Sequence, residues 1–312
     1  WAVVLSFAGG LLVAFRYAWQ LYGRGSGRPS QAAAVMRSSL VIAAATGFAT
    51  LMLLTDRILV GYFLSEAETG QYQAISVFAI FFVTVLSAFK TIVAPMISNA
   101  HAGNAKPALA EAYQLSTRWG LYLAAPAALV LWAVPEQAIQ VVFGDQYAGV
   151  GTVLVVLTLA QMVNLLTGPV DHMLIMAGHT RVWLAITLTM FLLNAGLNLI
   201  WIPQWGLSGA AWATVAGFAG TSLLAVLAIR RLHGIWPYKP SLVKGLMAIT
   251  ISTVIIWLGR QFPIAGAFPQ FMTLALLAYL AFFLSIRWLG LSDADRKLLA
   301  LLRHSFASLG GG

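Results

Sequence analysis

An aspartate and an arginine, Asp56 and Arg57, stand side by side in the stretch 37–74, RSSLVIAAATGFATLMLLTDRILVGYFLSEAETGQYQA, which is otherwise apolar enough to span a bilayer. A charged side chain near the middle of a transmembrane helix costs roughly 2.5 to 3.5 kcal/mol on insertion scales, so both residues are expected to face a protein interior or a wet cavity. Lys90 is a second cation inside an apolar run, and Asp171 with His172 lies close to one end of another. Cations placed in this way can hold an anion such as a phosphate through charge-assisted hydrogen bonds.

The elements that position these residues follow from composition. The 312-residue chain is 60% hydrophobic and 9% charged, with a mean hydropathy of +0.86, far from the roughly 25% charged residues of an average soluble domain. This is the composition of an integral membrane protein, and its long apolar runs favour an all-α, polytopic helix bundle over an outer-membrane barrel. The chain has no cysteine, which excludes a disulfide framework, a thiolate metal site and a cysteine nucleophile. Its net charge of +9 resides in short loops between apolar runs, so the positive-inside rule explains it and nucleic acid is not an expected partner. His101, His172, His179, His233 and His304 are not spaced as helical metal pairs, and no glycine loop with lysine cradles a phosphate, so no catalytic site, metal or cofactor is expected.

Nine candidate spans can be read: 1–21, 38–64, 72–97, 117–134, 150–177, 182–202, 208–229, 242–258 and 267–286. The chain begins at Trp1 within an apolar run and shows no signal-peptide pattern, so the natural N-terminus is expected to lie upstream. The connections at Arg16 to Arg37, Lys106 with Arg118, Arg181, Arg230 to Lys244, and Arg287 to Arg303 hold 15 of the 18 Lys and Arg. They are therefore expected to be cytoplasmic, with the C-terminus on the same side. The alternate connections hold Glu66, Glu68, Glu136 and Asp145 with the one cation Arg260.

Helical steps of about 100° place Thr46, Thr50, Arg57 and Gly61 on one face of the second span, with Asp56 pointing away from it. Gln73, Ser76, Ser87 and Lys90 share a face of the third span, and Gln161, Asn164, Gly168 and Asp171 of the fifth. Asn194 and Asn198 are neighbours on the sixth. Four successive polar faces predict one enclosed polar volume, although uncharged residues of this kind also serve as interhelical hydrogen bonds. Two further alternatives stay open: Asp56 as a structural ion-pair partner of Arg57, and Asp171 with His172 as interfacial side chains. Arg57 is expected about 12 Å below one end of its helix and Lys90 about 27 Å below the matching end of the next, a ladder of cationic stations rather than one clamp. Pro95, Pro126 and Pro169 are candidate hinges or static bends.

Four segments also carry a family resemblance. DRILVGYFLSEAETGQYQA from Asp56, APMIS from Ala94, PEQAIQVVFGDQYAG from Pro135 and NAGLNLIWIPQWGLSGAAWAT from Asn194 resemble the Wzx-type polysaccharide flippases of the MOP exporter superfamily over roughly residues 37–232. The resemblance implies two six-helix lobes around a central cavity, followed by two extra helices. On that plan residues 1–22 are the last helix of an otherwise missing first lobe and 37–232 the second lobe. Residues 242–288 are then the two additional helices and 289–312 a cytoplasmic tail. The implied activity is movement of undecaprenyl-diphosphate-linked oligosaccharide from the cytoplasmic to the outer leaflet of the bacterial inner membrane by alternating access, for cell-surface polysaccharide biosynthesis. Arg57 and Lys90 become the expected diphosphate contacts, Gln161, Asn164 and Asn194 sugar or lobe contacts, and Asp171 a coupling-ion site. The expected partners are the polyprenyl-diphosphate-linked oligosaccharide, membrane lipids, and a polysaccharide polymerase with other assembly proteins.

Other readings compete with this one. A lipid II flippase or a multidrug exporter of the same superfamily shares the architecture. A membrane-embedded polymerase or glycosyltransferase would be expected to show a sizeable external loop or paired acidic residues near the surface, and the outer loops here are short. A non-transporting assembly scaffold is the third class.

Overall fold

The structure, a computed structural model, describes residues 9, 13, 16, 29–102, 106–262, 264–290 and 295. The described residues form ten α-helices: α1 (Pro29–Phe63), α2 (Glu66–Ala102), α3 (Lys106–Ala133), α4 (Pro135–Phe143), α5 (Gly151–Thr167), α6 (Val170–Met176), α7 (Thr180–Trp205), α8 (Leu207–His233), α9 (Leu242–Gly259) and α10 (Ala267–Leu289). A 3-10 turn, Asp145–Tyr147, precedes α5. Among the described residues there is no strand. Trp1–Ala44 and Ala45–Gly312 are two compact units. In the first, the described part of α1 exposes Val35, Met36 and Leu40.

Among the described residues six helices are long and apolar enough to cross a membrane. Two bent pairs, α3 with α4 at 96° and α5 with α6 at 40°, bring the number to eight if each is one span. Eight of the nine expected spans thus correspond to described helices, and the first, residues 1–21, lies almost wholly outside the described residues. The span expected over 150–177 is broken. Gly168 takes φ +64° and ψ −154° at the end of α5, Pro169 follows, and the chain restarts as the short α6. Glycine is required at this break: its backbone region is nearly closed to other residues, and the Thr117 side chain and Cα occupy the space that a Cβ would take. Pro126, by contrast, lies within a continuous α3, and α2 runs past Pro95 to Ala102.

Packing in the second unit follows from where the apolar faces meet. One core joins α2, α3, α5 and α10 through Tyr72, Phe82, Leu121, Tyr122, Leu154 and Phe282. Another joins α3, α6, α7 and α8 through Tyr113, Met173, Leu174, Trp183, Ile186 and Val226. Helices α7 and α8 form a tight hairpin in which Gly217 lets the Asn194 side chain of α7 approach, so that a Cβ there would stand 3.1 Å from Asn194 Nδ2. The α9 and α10 hairpin packs on α3, where Tyr122 meets Phe282 edge to face at 5.7 Å.

Candidate functional site

A cavity of about 250 Å³ opens between α1, α2, α5 and α8, with Arg57, Asp56, Ser76, Gln161, Thr50 and Thr214 among its lining residues. Leu53, Leu54, Ile80, Val83 and Leu157 complete an apolar wall around those polar groups. The cavity exists because Arg57 lies on the half-exposed flank of α1 while Asp56, one residue earlier and about 100° away, turns into the bundle.

The Asp56 side chain is 5% exposed. Its Oδ2 accepts hydrogen bonds from Tyr72 Oη of α2 at 2.7 Å and from Thr214 Oγ1 of α8 at 3.2 Å. Its Oδ1 accepts from the backbone N–H of Arg57 at 2.8 Å. Among the described residues the Asp56 carboxylate makes no close salt bridge with a lysine, arginine or histidine, so the alternative of a direct ion pair with Arg57 is corrected: hydroxyls and a backbone amide hold this carboxylate, and the Arg57 charge acts on it only from further off. Burial of Asp56 draws it toward fixed donors inside the bundle, and the guanidinium, which carries no such anchor, is left in the cavity. Arg57 Nε is buried and has no hydrogen-bond partner. An unpaired guanidinium beside an amide and hydroxyls, with apolar walls around them, is suited to binding an anion by two parallel hydrogen bonds.

Lys90 lies elsewhere. From the adjoining ends of α1 at Phe63 and α2 at Glu66, Arg57 is about 9 Å and Lys90 about 36 Å along its own helix. Lys90 Nζ donates to Asp171 Oδ2 at 2.6 Å, joining α2 to α6. His172 Nδ1 stands 3.3 Å from Asp171 Oδ1. The two residues assigned separately from sequence, Lys90 to an anion and Asp171 to a coupling ion, are thus each other's partners.

Asn194 is corrected more fully. It is 1% exposed and outside the lining of the cavity, with Nδ2 donating to the Ala213 carbonyl of α8 at 3.0 Å and Oδ1 accepting from Asn198 at 3.1 Å. It is the interhelical alternative for polar residues in spans. Gln161 lines the cavity beside Arg57 and is buried. Asn164, one turn along α5, is half-buried and lies outside that lining. The expected single enclosed polar volume is also corrected: Thr46, Thr50, Gln73 and Ser87 are exposed, so the stripe on α1 and α2 faces out of this unit rather than into a closed chamber.

Sequence reasoning missed a buried polar network at the end of the bundle where the basic connections gather. Arg118 Nη1 donates to Ser241 Oγ at 2.6 Å, Arg118 Nη2 pairs with Asp295, and Trp119 Nε1 donates to Asp295 Oδ1 at 2.8 Å. Arg118, expected among the charges of a connection, lies twelve residues inside α3, because that helix begins at Lys106 and carries the charge into the bundle.

The helices and their polar sites define a polytopic helical membrane protein. A family model described as polysaccharide biosynthesis protein matches residues 1–151, a little under half of the 312-residue chain. The matched stretch contains Asp56, Arg57 and Lys90 and ends before Gln161 and Asp171. No curated protein matches the chain. The match and the apolar helices together support a multi-pass membrane protein that serves polysaccharide biosynthesis.

Proposed function

We propose that the protein is a flippase that moves polyprenyl-diphosphate-linked oligosaccharide from the cytoplasmic to the outer leaflet by alternating access. The observation that carries this reading is the Arg57 guanidinium, which lines a cavity between four helices with no ion-pair partner among the described residues. A sugar diphosphate needs a cationic, hydrogen-bonding route, whereas its lipid tail is at home in the bilayer. Gln161, Ser76 and Thr50 supply the neutral polar lining. The exposed polar stripe of α1 and α2 extends that route along the helices. On this reading the protein is a transporter rather than an enzyme and lies in the bacterial inner membrane with the basic connections and C-terminus in the cytoplasm. It works beside a polysaccharide polymerase and other assembly proteins.

The test is equilibrium binding of undecaprenyl diphosphate and of uncharged undecaprenol to the purified full-length protein in lipid nanodiscs. Preference for the diphosphate that is lost in Arg57→Ala supports the reading. Equal binding of the two lipids, or preference for a cationic drug, refutes it.

A further inference from the structure

We propose that His172 sets how much of the Lys90 charge is free to hold an anion, through the Asp171 carboxylate that both residues face. Lys90 Nζ occupies Asp171 Oδ2 at 2.6 Å, and His172 Nδ1 lies 3.3 Å from the other oxygen, Oδ1. Asp171 Oδ1 and His172 Nδ1 are both buried and without a hydrogen-bond partner. A carboxylate with one oxygen on an ammonium and the other facing an unpartnered ring nitrogen is arranged to take a second cation. The three side chains are 23%, 20% and 31% exposed, so small ions reach the outer edge of the trio although the two facing atoms, Asp171 Oδ1 and His172 Nδ1, are buried.

The frame of this trio is fixed. Val170, Met173 and Leu174 bury the opposite face of α6, and Gly168 with Pro169 sets its direction. Asp171 and His172 therefore hold their place against α2. With His172 neutral, Lys90 and Asp171 cancel and the trio carries no net charge. With His172 protonated, the carboxylate is shared between two cations and the trio carries one net positive charge. Histidine is the side chain that ordinarily changes charge between about pH 5 and 8.

The neighbouring titratable groups leave that step to His172. Tyr113 of α3 is a buried phenol, a group that ordinarily ionises near pH 10. Burial pushes Tyr238, in the connection after α8, higher still. His179 and His233 pack on one another at 5.2 Å, past the C-terminal end of α6, and are controlled for by the substitutions below.

The test is equilibrium binding of inorganic sulfate, a dianion throughout this range, to the full chain in nanodiscs of uncharged lipid. Affinity in the unsubstituted protein is expected to be about fivefold higher at about pH 5.5 than at pH 8, the low end of ordinary coupling because the trio is partly exposed. His172→Gln should remove the difference, and Lys90→Gln should remove the pH-dependent component. His172→Arg should hold the higher affinity at both pH values, which keeps the test decisive if the glutamine variant folds poorly. Arg57→Ala should retain the difference, so this result is independent of the cavity around Arg57. Absence of a pH difference in the unsubstituted protein, or its persistence in His172→Gln or Lys90→Gln, overturns the proposal.

Discussion

Asp56 and Arg57 are adjacent in the chain, yet the carboxylate is enclosed by Tyr72 and Thr214 at 2.7 and 3.2 Å while the guanidinium lines a cavity. One residue step of about 100° therefore separates a structural charge from an available one. Tyr72→Phe removes the shorter of the two hydroxyl donors and leaves a buried carboxylate under-satisfied, which should lower stability by about 1 to 3 kcal/mol. Thermal unfolding of the purified protein checks this, and an unchanged midpoint would contradict the described network.

Asn194 should behave as a packing residue. Asn194→Ala removes the hydrogen bond to Ala213 and should cost about 0.6 to 1.7 kcal/mol, the range for such bonds between membrane helices. Transport per folded molecule should be retained. Loss of transport at full stability would return Asn194 to the substrate path.

Gly168→Ala places a Cβ on a backbone of φ +64° and against Thr117. The cost should be about 1 to 3 kcal/mol, as for other strained backbone positions. A calorimetric melting curve checks it; a melting temperature equal to that of the unsubstituted protein would mean that the α5 and α6 break relaxes freely.

Much of this architecture was legible in the sequence, and the reason is physical. A bilayer demands apolar runs of about 20 residues and places cations on one side of it, so span positions can be read with no knowledge of packing. Pro169 was one of three candidate bends, and only the structure shows that it and Gly168 break the fifth span while Pro126 leaves its helix continuous. Tertiary partners could not be read in this way. Helical steps separated Arg57 from Asp56, but no local pattern shows that Asp56 would meet Thr214, 158 residues away. Nor does any show Lys90 meeting Asp171, 81 residues away. A polar stripe on a helix looks the same whether it faces a cavity, as Gln161 does, or a neighbouring helix, as Asn194 does. That choice is made by the helix packed against it.

Arg118 and Asp295 provide a sharper energetic test. Both side chains are buried, so Arg118→Ala breaks a buried ion pair and should destabilise by about 3 to 5 kcal/mol. The double variant Arg118→Ala, Asp295→Ala should lose less than the sum of the two single variants, because the pair is coupled. A double-mutant cycle in chemical unfolding measures the coupling, and strict additivity would show that the pair contributes nothing jointly.

The central claim concerns the unpaired cation of the cavity, and leaflet translocation in proteoliposomes tests it most directly. A lipid-linked oligosaccharide diphosphate is placed in one leaflet, and its appearance in the other is followed for full-length protein, Arg57→Ala and Arg57→Lys. Removing a charge-assisted contact worth about 1.5 to 3 kcal/mol should slow Arg57→Ala at least about tenfold. Arg57→Lys should keep part of the rate, with membrane insertion and melting unchanged in both. Translocation by Arg57→Ala at the rate of the unsubstituted protein would contradict the account.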